Sequence, residues 1–306
     1  MKELYDKISV DDIEKLIGNR ILNIENLSTG KGAGHYFKAT DKNNRKYLLK
    51  SIRIKNRKPE EILNISKKLT DDFQKVLNYK LIDDDVFLFV FDWIEGKTLK
   101  DFIQNNKFGV NQTLISDAAK KLKNFHDKYK INRQSEFTLN DIKRLLDVYY
   151  ISPSNKKILE KYISKNLDLI NSKSLTMIHN DLHFSNIIVN NNKAYFIDIE
   201  DLSYGISYAD LVYPANLHKN SSEDLYYYIF INEYFSYDIP DDFWPIVNVL
   251  SLVKMINIVN CGIKNSIFYE NKIEIEFLLK DHKNMNQDVA DWYINMDKKI
   301  KDFYKN

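Results

Sequence analysis

The chain has 306 residues, and its 45 basic and 43 acidic side chains leave a formal net charge of only +2. That length supports one large domain or two joined lobes, and the near balance of charge supplies no field for gathering nucleic acid or anionic lipid. A single cysteine, Cys261, excludes an internal disulfide framework and a cysteine-rich metal site.

The charged segment Met1 to Lys7 lacks the apolar core of a signal peptide. The most apolar long stretch, Phe243 to Gly262, carries Lys254 and several asparagines, whereas a membrane span needs about 20 predominantly apolar residues. A cytoplasmic protein without nucleic-acid or membrane partners is expected, with Cys261 a buried thiol.

Ser9 followed by Asp12 is a capping-box signal for a short helix through Leu16 and Ile17. From Ile21 the pattern becomes strand, loop, strand. The loop, Asn26 to Gly34, holds Ser28, Gly30, Gly32 and Gly34, and glycine permits the close backbone approach that cradling nucleotide phosphates requires. It is not a Walker A sequence. A third strand, Lys46 to Ile52, contains Lys50 near its end. Pro59 suits the first turn of a helix whose buried stripe reads Ile62, Ile65 and Leu69.

Leu81-Ile82 and Val86 to Phe91 read as a hairpin around Asp83 to Asp85, followed by Asp92-Trp93-Ile94-Glu95-Gly96. Thr98 with Asp101 caps the next helix. Leu114, Ala118, Leu122 and Phe125 then repeat at helical spacing. Thr138 with Asp141 opens a helix expected to reach Tyr150, Ser152-Pro153 breaks it, and Ile158 to Ile170 supplies another. Four helical stretches rich in Tyr, Phe and Trp close the chain: 222–235, 241–261, 266–279 and 287–304. Aromatics at that spacing read first as core, and secondly as an aromatic pocket for a cationic alkylamine.

The stretch that carries chemistry is Ile178-His179-Asn180-Asp181-Leu182-His183-Phe184-Ser185-Asn186-Ile187, followed by Ile197-Asp198-Ile199-Glu200. Two short apolar strands face each other across the turn Asn190 to Lys193. Asp181 and Asn186 are five apart on a loop, and Asp198 ends the returning strand. Phosphoryl transfer needs such a set: one carboxylate to orient and deprotonate an acceptor hydroxyl, and an amide with a second carboxylate to hold Mg²⁺ against nucleotide phosphates. The protein-kinase catalytic loop has the same Asp-to-Asn spacing. No Asp-Phe-Gly or Ala-Pro-Glu signature accompanies it here.

His-Asn-Asp-Leu-His-x-x-Asn-Ile with a downstream Ile-Asp-x-Glu resembles the aminoglycoside phosphotransferase and choline kinase superfamily, where the loop usually reads His-Gly-Asp-Leu-His-x-x-Asn. The His-Asn-Asp form and Glu200 lean toward its choline-kinase-like branch. The resemblance implies an α+β, two-lobed protein-kinase-like fold: an antiparallel-sheet nucleotide-binding lobe over residues 1–93 and a mainly helical lobe over 94–306 with the catalytic loop and acceptor site. It implies Asp181 as catalytic base and Asn186 and Asp198 as metal ligands. Lys50 would meet the phosphates of ATP or GTP, with Glu61, in preference to Glu60, as its partner. Asp92 and Ile94 would lie at the hinge that reads the base. His179 and Asp210, the latter in Gly205-Ile206-Ser207-Tyr208-Ala209-Asp210-Leu211, would brace the loop, and His126 would be structural. His183 would touch substrate or shape the turn, and Glu200 would bind a second metal or a cationic acceptor. The expected partner is a small-molecule acceptor with a hydroxyl, aminoglycoside-like. Choline or ethanolamine is the alternative, as is a catalytically silent kinase-like module.

Overall fold

In a computed structural model, residues 8–27, 36–54, 57–105, 108–148, 151–217, 223–264 and 268–303 are described. The glycine-bearing loop with Ser28, Gly30, Gly32 and Gly34 lies outside them, as does the Cys261 side chain. The chain divides into two compact units, residues 1–102 with 185–200, and residues 103–184 with 201–306.

The first unit begins with helix α1 (Val10–Ile17), opened by the full capping box of Ser9 and Asp12. Strands β1 (Ile21–Asn26), β2 (Tyr36–Asp41), β3 (Lys46–Arg53), β4 (Val76–Asp83) and β5 (Val86–Asp92) form an antiparallel sheet in the order β1-β2-β3-β5-β4. Its alternating residues Phe37, Ala39, Tyr47, Leu49, Leu88 and Val90 bury one face against Ile8 and Ile13 of the α1 region. Helix α2 (Pro59–Lys68) starts with proline in its first turn and buries Pro59, Ile62 and Ser66.

A second small sheet belongs to the same unit. Strands β9 (Ile187–Asn190) and β10 (Lys193–Phe196) pair across a turn in which Asn191 and Asn192 have φ of 49° and 57°. That double left-handed turn is the one that asparagine tolerates and that matches strand twist. β9 also pairs with β6 (Lys97–Thr98). Phe196 exchanges backbone hydrogen bonds of 2.8 Å with Gln74 and Asp72, and its ring stacks on Phe73 at 4.8 Å. These contacts tie residues 185–200 to the first unit, which extends to Phe102; the resemblance places the lobe boundary after Trp93.

Gly96 makes the β6–β9 contact possible. Its φ is 140°, and a Cβ there would meet the Val189 carbonyl oxygen at 2.2 Å.

After helix α3 (Leu99–Asn105), the second unit is mostly helical: α4 (Phe108–Lys128), α5 (Leu139–Leu146), α6 (Pro153–Lys165), α7 (Leu167–Asn171), α8 (Asp224–Tyr234), α9 (Phe243–Lys264), α10 (Phe268–Asp281) and α11 (Asp291–Phe303). Helix α5 ends at Leu146, short of the expected Tyr150. Pro153 does not break a helix but starts α6, behind the N-cap of Ser152; a missing N–H costs nothing in a first turn. A three-stranded sheet that periodicity did not reveal, β11 (Ser203–Gly205), β8 (Ser174–Ile178) and β7 (Lys130–Gln134), leads into the stretch His179 to Asn186. The aromatic residues of the late helices are largely core: Tyr227, Phe230, Tyr234, Phe243 and Trp244 are buried. Among the described residues, no helix is long and apolar enough to cross a membrane.

A buried polar network ties the end of this unit together. The amide nitrogen of Asn216 donates to the Asn248 side chain at 2.9 Å and to Ser251 at 2.8 Å. The Asn248 amide in turn donates to the Asp288 carbonyl at 2.8 Å, and His282 Nε2 lies 3.1 Å from the Asn216 side-chain oxygen. His282 is fully buried. Burial pulls its imidazole down to about 4, outweighing the Gln287 and Asp288 backbone and the Asp288 and Asp291 carboxylates.

Two outcomes follow. Gly96→Ala should lower the melting temperature by an amount equivalent to roughly 2 kcal/mol or more, because the strained φ and the backbone clash cannot both relax. For His282, the folded value lies below the ordinary 6.5, so the unfolded chain takes up the proton first as pH falls. Its contribution is therefore present at neutral pH and is lost between about pH 6.5 and 4, amounting to about 2 kcal/mol by pH 5. Urea denaturation at pH 7.5 and 5 should show that loss in the wild type and a flatter pH dependence in His282→Gln.

Candidate active site

The residues singled out in the sequence fall into two groups, one in each unit. In the first, Lys50 of β3 is buried, with 7% of its side chain exposed, and Asp198 Oδ1 lies 3.1 Å from its Nζ. Glu200 forms a second ion pair with the same ammonium, and the Tyr36 ring centroid lies 5.1 Å away. Burial works to lower the Lys50 pKa, but the two carboxylates outweigh it and raise it above the ordinary lysine value. Burial pushes the Glu200 carboxyl upward, against the pull of Lys50 and with the help of Asp198. The Glu200 carbonyl also accepts a 3.0 Å hydrogen bond from Arg57.

The partner expected of Lys50 on α2 is therefore replaced. Glu61 is exposed, and Glu60 accepts from the Tyr79 hydroxyl at 2.6 Å. Of the expected stripe Ile62, Ile65 and Leu69, the first and last are buried, but Ile65, the member in phase with Glu61, is only half-buried. Ser66 is fully buried in its place, its hydroxyl accepting from Val76 N–H at 2.6 Å. That phase leaves Glu61 one residue off the stripe, about 100° around the helix. Glu200, two residues after Asp198, fills the place.

Asn186 and Asp198 stand at the open mouth of the β9–β10 hairpin, just outside the pair Ile187–Phe196. The Asn186 carbonyl accepts from Ile197 N–H at 3.0 Å, and the Asn186 side chain is buried. Asp198 has φ of 62°, a left-handed conformation uncommon for residues other than glycine and best tolerated by Asn and Asp. Glu200 Oε2 is buried without a hydrogen-bond partner among the described residues. An orphaned carboxylate oxygen beside an amide and a second carboxylate is a donor set that fits a hard divalent cation. Among the described residues no group of three His, Cys, Asp or Glu forms a ready cage, and Mg²⁺ does not require one, being held by one or two carboxylates and substrate phosphates.

At the expected hinge, Asp92 is bound internally. Its N–H donates to the Lys75 carbonyl at 3.0 Å, its carbonyl accepts from Gln74 at 2.9 Å, and its carboxylate accepts from Lys75 N–H at 2.6 Å. Burial raises its pKa. Asp92 thus braces the strand end, and Ile94, two residues on, is half-buried.

In the second unit, the loop after β8 hangs on Asp210. This carboxylate is buried and accepts from the backbone N–H groups of His179 and Asn180, each at 2.7 Å. His126 Nε2 lies 2.9 Å from the same Oδ2, with its Nδ1 2.7 Å from the Tyr234 hydroxyl. Burial opposes ionisation of Asp210, but the His126 hydrogen bond and charge, with His179 behind them, hold its pKa below the ordinary carboxylate value. His179 itself is fully buried. Asp181 keeps 46% of its side chain exposed. His183 Nε2 is 3.8 Å from Asp181 Oδ2, and its ring lies 5.5 Å from that of Tyr213. Lys254 of α9 reaches the same carboxylate at 3.4 Å.

Asn180, between His179 and Asp181, is exposed and has φ of 68°. That backbone explains a position open to glycine or asparagine: both enter the left-handed region at low cost.

The phosphotransferase enzyme family model APH matches residues 30–241, more than half of the chain. The chain belongs to the APH phosphotransferase enzyme family. Among sequence relatives, a LicA homolog of Metamycoplasma hominis is 31% identical over 163 residues, half of this chain and 57% of that protein. The match therefore spans little more than half the length of that relative. A LicA homolog of Mycoplasma capricolum subsp. capricolum is 24% identical, covering 57% of this chain and 77% of its own. Among solved structures, a thermostable mutant of aminoglycoside phosphotransferase APH(4)-Ia, in complex with AMP-PNP and hygromycin B, has a TM-score of 0.64 at 10% identity, covering 89% of this chain and 98% of that one. The streptomycin–ATP–APH(2'')-IIa complex has a TM-score of 0.58 at 16% identity, with coverages of 87% and 94%. The fold of this chain is thus kinase-like, with a five-stranded antiparallel sheet in one part and a helical second part.

Substitution at Asn180 checks the backbone argument. Asn180→Gly should fold with a melting temperature close to that of the wild type, whereas Asn180→Val should lose about 1–2 kcal/mol in denaturant unfolding.

Proposed function

We propose that this member of the family transfers the γ-phosphate of ATP or GTP to a hydroxyl of a small molecule. The observation that supports it best is Lys50, buried and paired with Asp198 across 148 residues of chain, beside the hairpin mouth that also carries Asn186. A lysine held charged at that point is suited to nucleotide phosphates, and Ile94 lies at the proposed hinge.

Asn186 and Asp198, with Glu200 beside them, would hold Mg²⁺, which when bound offsets the charge of the phosphates. Asp181 accepts the proton of the acceptor hydroxyl as its oxygen attacks the γ-phosphorus. A new O–P bond forms, the bond to the β-phosphate oxygen breaks, and the nucleoside diphosphate leaves. His179 and Asp210 keep the backbone under Asp181 fixed, while His183, itself against the Tyr213 ring, lies beside the carboxylate.

For the acceptor, the solved relatives favour an aminoglycoside-like polyol, since their structures hold hygromycin B and streptomycin. Choline or ethanolamine is the second reading. It draws on the His-Asn-Asp and Ile-Asp-x-Glu forms and on higher identity to the LicA homologs than to the aminoglycoside enzymes.

Phosphate transfer should be measured with Mg²⁺ and either nucleotide against aminoglycosides, choline, ethanolamine and small sugars. Turnover of one acceptor is expected, with Asp181→Asn lowering kcat by roughly 10²-fold or more and Lys50→Met weakening nucleotide binding. Nucleotide binding with no transfer to any acceptor would favour a silent module, and absence of nucleotide binding would overturn the kinase reading.

A further inference from the structure

The helix α9 is almost wholly apolar or neutral: within Phe243–Lys264 the only charged residues are Lys254 and Lys264. Its neighbours in the chain, Leu252, Met255 and Ile256, are buried core. A lysine in such a helix loses hydration unless it finds acceptors. Lys254 finds two. Its ammonium donates to the carbonyl of Asn180 and lies 3.4 Å from Asp181 Oδ1, with about a third of its side chain exposed.

The peptide groups of this loop are therefore gripped from opposite sides. The Asn180 N–H is held by Asp210 and the Asn180 carbonyl by Lys254. Asp210 is a buried brace, whereas Lys254 is about one-third exposed and lies 3.4 Å from the Asp181 carboxylate itself. A hydroxyl within hydrogen-bonding reach of Asp181 Oδ1, about 2.6–3.2 Å, has its oxygen no more than about 7 Å from the Lys254 ammonium. Negative charge appears on that oxygen as its proton passes to Asp181.

We infer that Lys254 is a positioning residue for phosphoryl transfer: it fixes the rotamer of the Asp181 carboxylate and the Asn180 carbonyl beneath it. The inference rests on the reading of Asp181 as the base. It assigns to a helix outside the recognised motifs a part in setting kcat, while leaving nucleotide binding to Lys50.

The test uses the full chain with the acceptor identified in the transfer screen. Lys254→Met should lower kcat by roughly ten- to a hundredfold, the scale of a misplaced catalytic group, with nucleotide KM and melting temperature changed little. Lys254→Arg should recover most of the loss. In the double variant with Asp181→Asn, the Lys254 substitution should cost nothing further, because a residue acting through another is silent once that other is gone. A kcat within twofold of wild type in Lys254→Met, or losses that multiply in the double variant, would overturn the inference. A readout independent of turnover is the NMR resonance of Lys254 after reductive ¹³C-methylation. Asp181→Asn should shift it, and an unmoved resonance would also overturn the inference. Failure of the kinase reading would appear separately, as a wild type that turns over no acceptor.

Discussion

A carboxylate removed from water must have its lone pairs satisfied by donors, or the group gives up its charge. Asp210 meets that demand with two successive backbone N–H groups and the His126 ring. The arrangement works in both directions. The donors keep Asp210 ionised, and the ionised carboxylate fixes two consecutive peptides of the loop that presents Asp181. Further links extend the grip into the helices: the Thr176 hydroxyl donates to the His126 carbonyl at 2.5 Å, and Tyr234 of α8 meets the His126 ring. Breaking one member of such a buried set leaves the others uncompensated, which costs more than the set gains over an apolar core.

The first unit holds its charges differently. Lys50 is stabilised by two carboxylates of one short segment, Asp198 and Glu200. That segment is anchored by backbone pairing of Phe196 to residues 72 and 74 and by β9 to β6. The ion pairs consequently depend on a hairpin whose sequence lies nearly a hundred residues beyond the sheet that carries Lys50. Gly96 is part of the same dependence, because β6 reaches β9 only where no Cβ intervenes.

Much of this was legible in the residues, for identifiable reasons. Asp181, Asn186 and Asp198 stood out as polar residues between short apolar strands, Lys50 and Asp210 only through the family resemblance, and capping boxes at Ser9 and Thr138 located two helix starts. The partner of Lys50 was not legible. Helical phase alone does not distinguish Glu60, Glu61 and a glutamate distant in sequence, and a buried serine, Ser66, disguised the true inner face of α2. Nor was the sheet β11-β8-β7, since strands of three to five residues carry too few alternations to show a period. Asp92 illustrates a further limit: backbone hydrogen bonds leave no mark on residue identity, so a hinge is recognised by position while the groups free to read a base are not. Lys254 was visible as an odd charge in an apolar helix, but its contact with the loop is a tertiary fact.

The proposed catalytic side chains share one design. Asp181 and Asp198 remain partly exposed, 46% and 33%, while the residues that hold their backbones are buried: His179, Asp210, Asn186 and Ile187. Exposure keeps the carboxylates available to ligands, and burial of their neighbours keeps the peptide units from moving. The left-handed backbone at Asn180 and Asp198 belongs to the same compromise. Each turns the chain sharply enough to aim a carboxylate outward from the end of a strand, and asparagine and aspartate adopt that conformation with less strain than β-branched residues. Residues set this way are stiff where the main chain runs and partly open at their carboxylates, with Lys254 beside Asp181 and Lys50 beside Asp198.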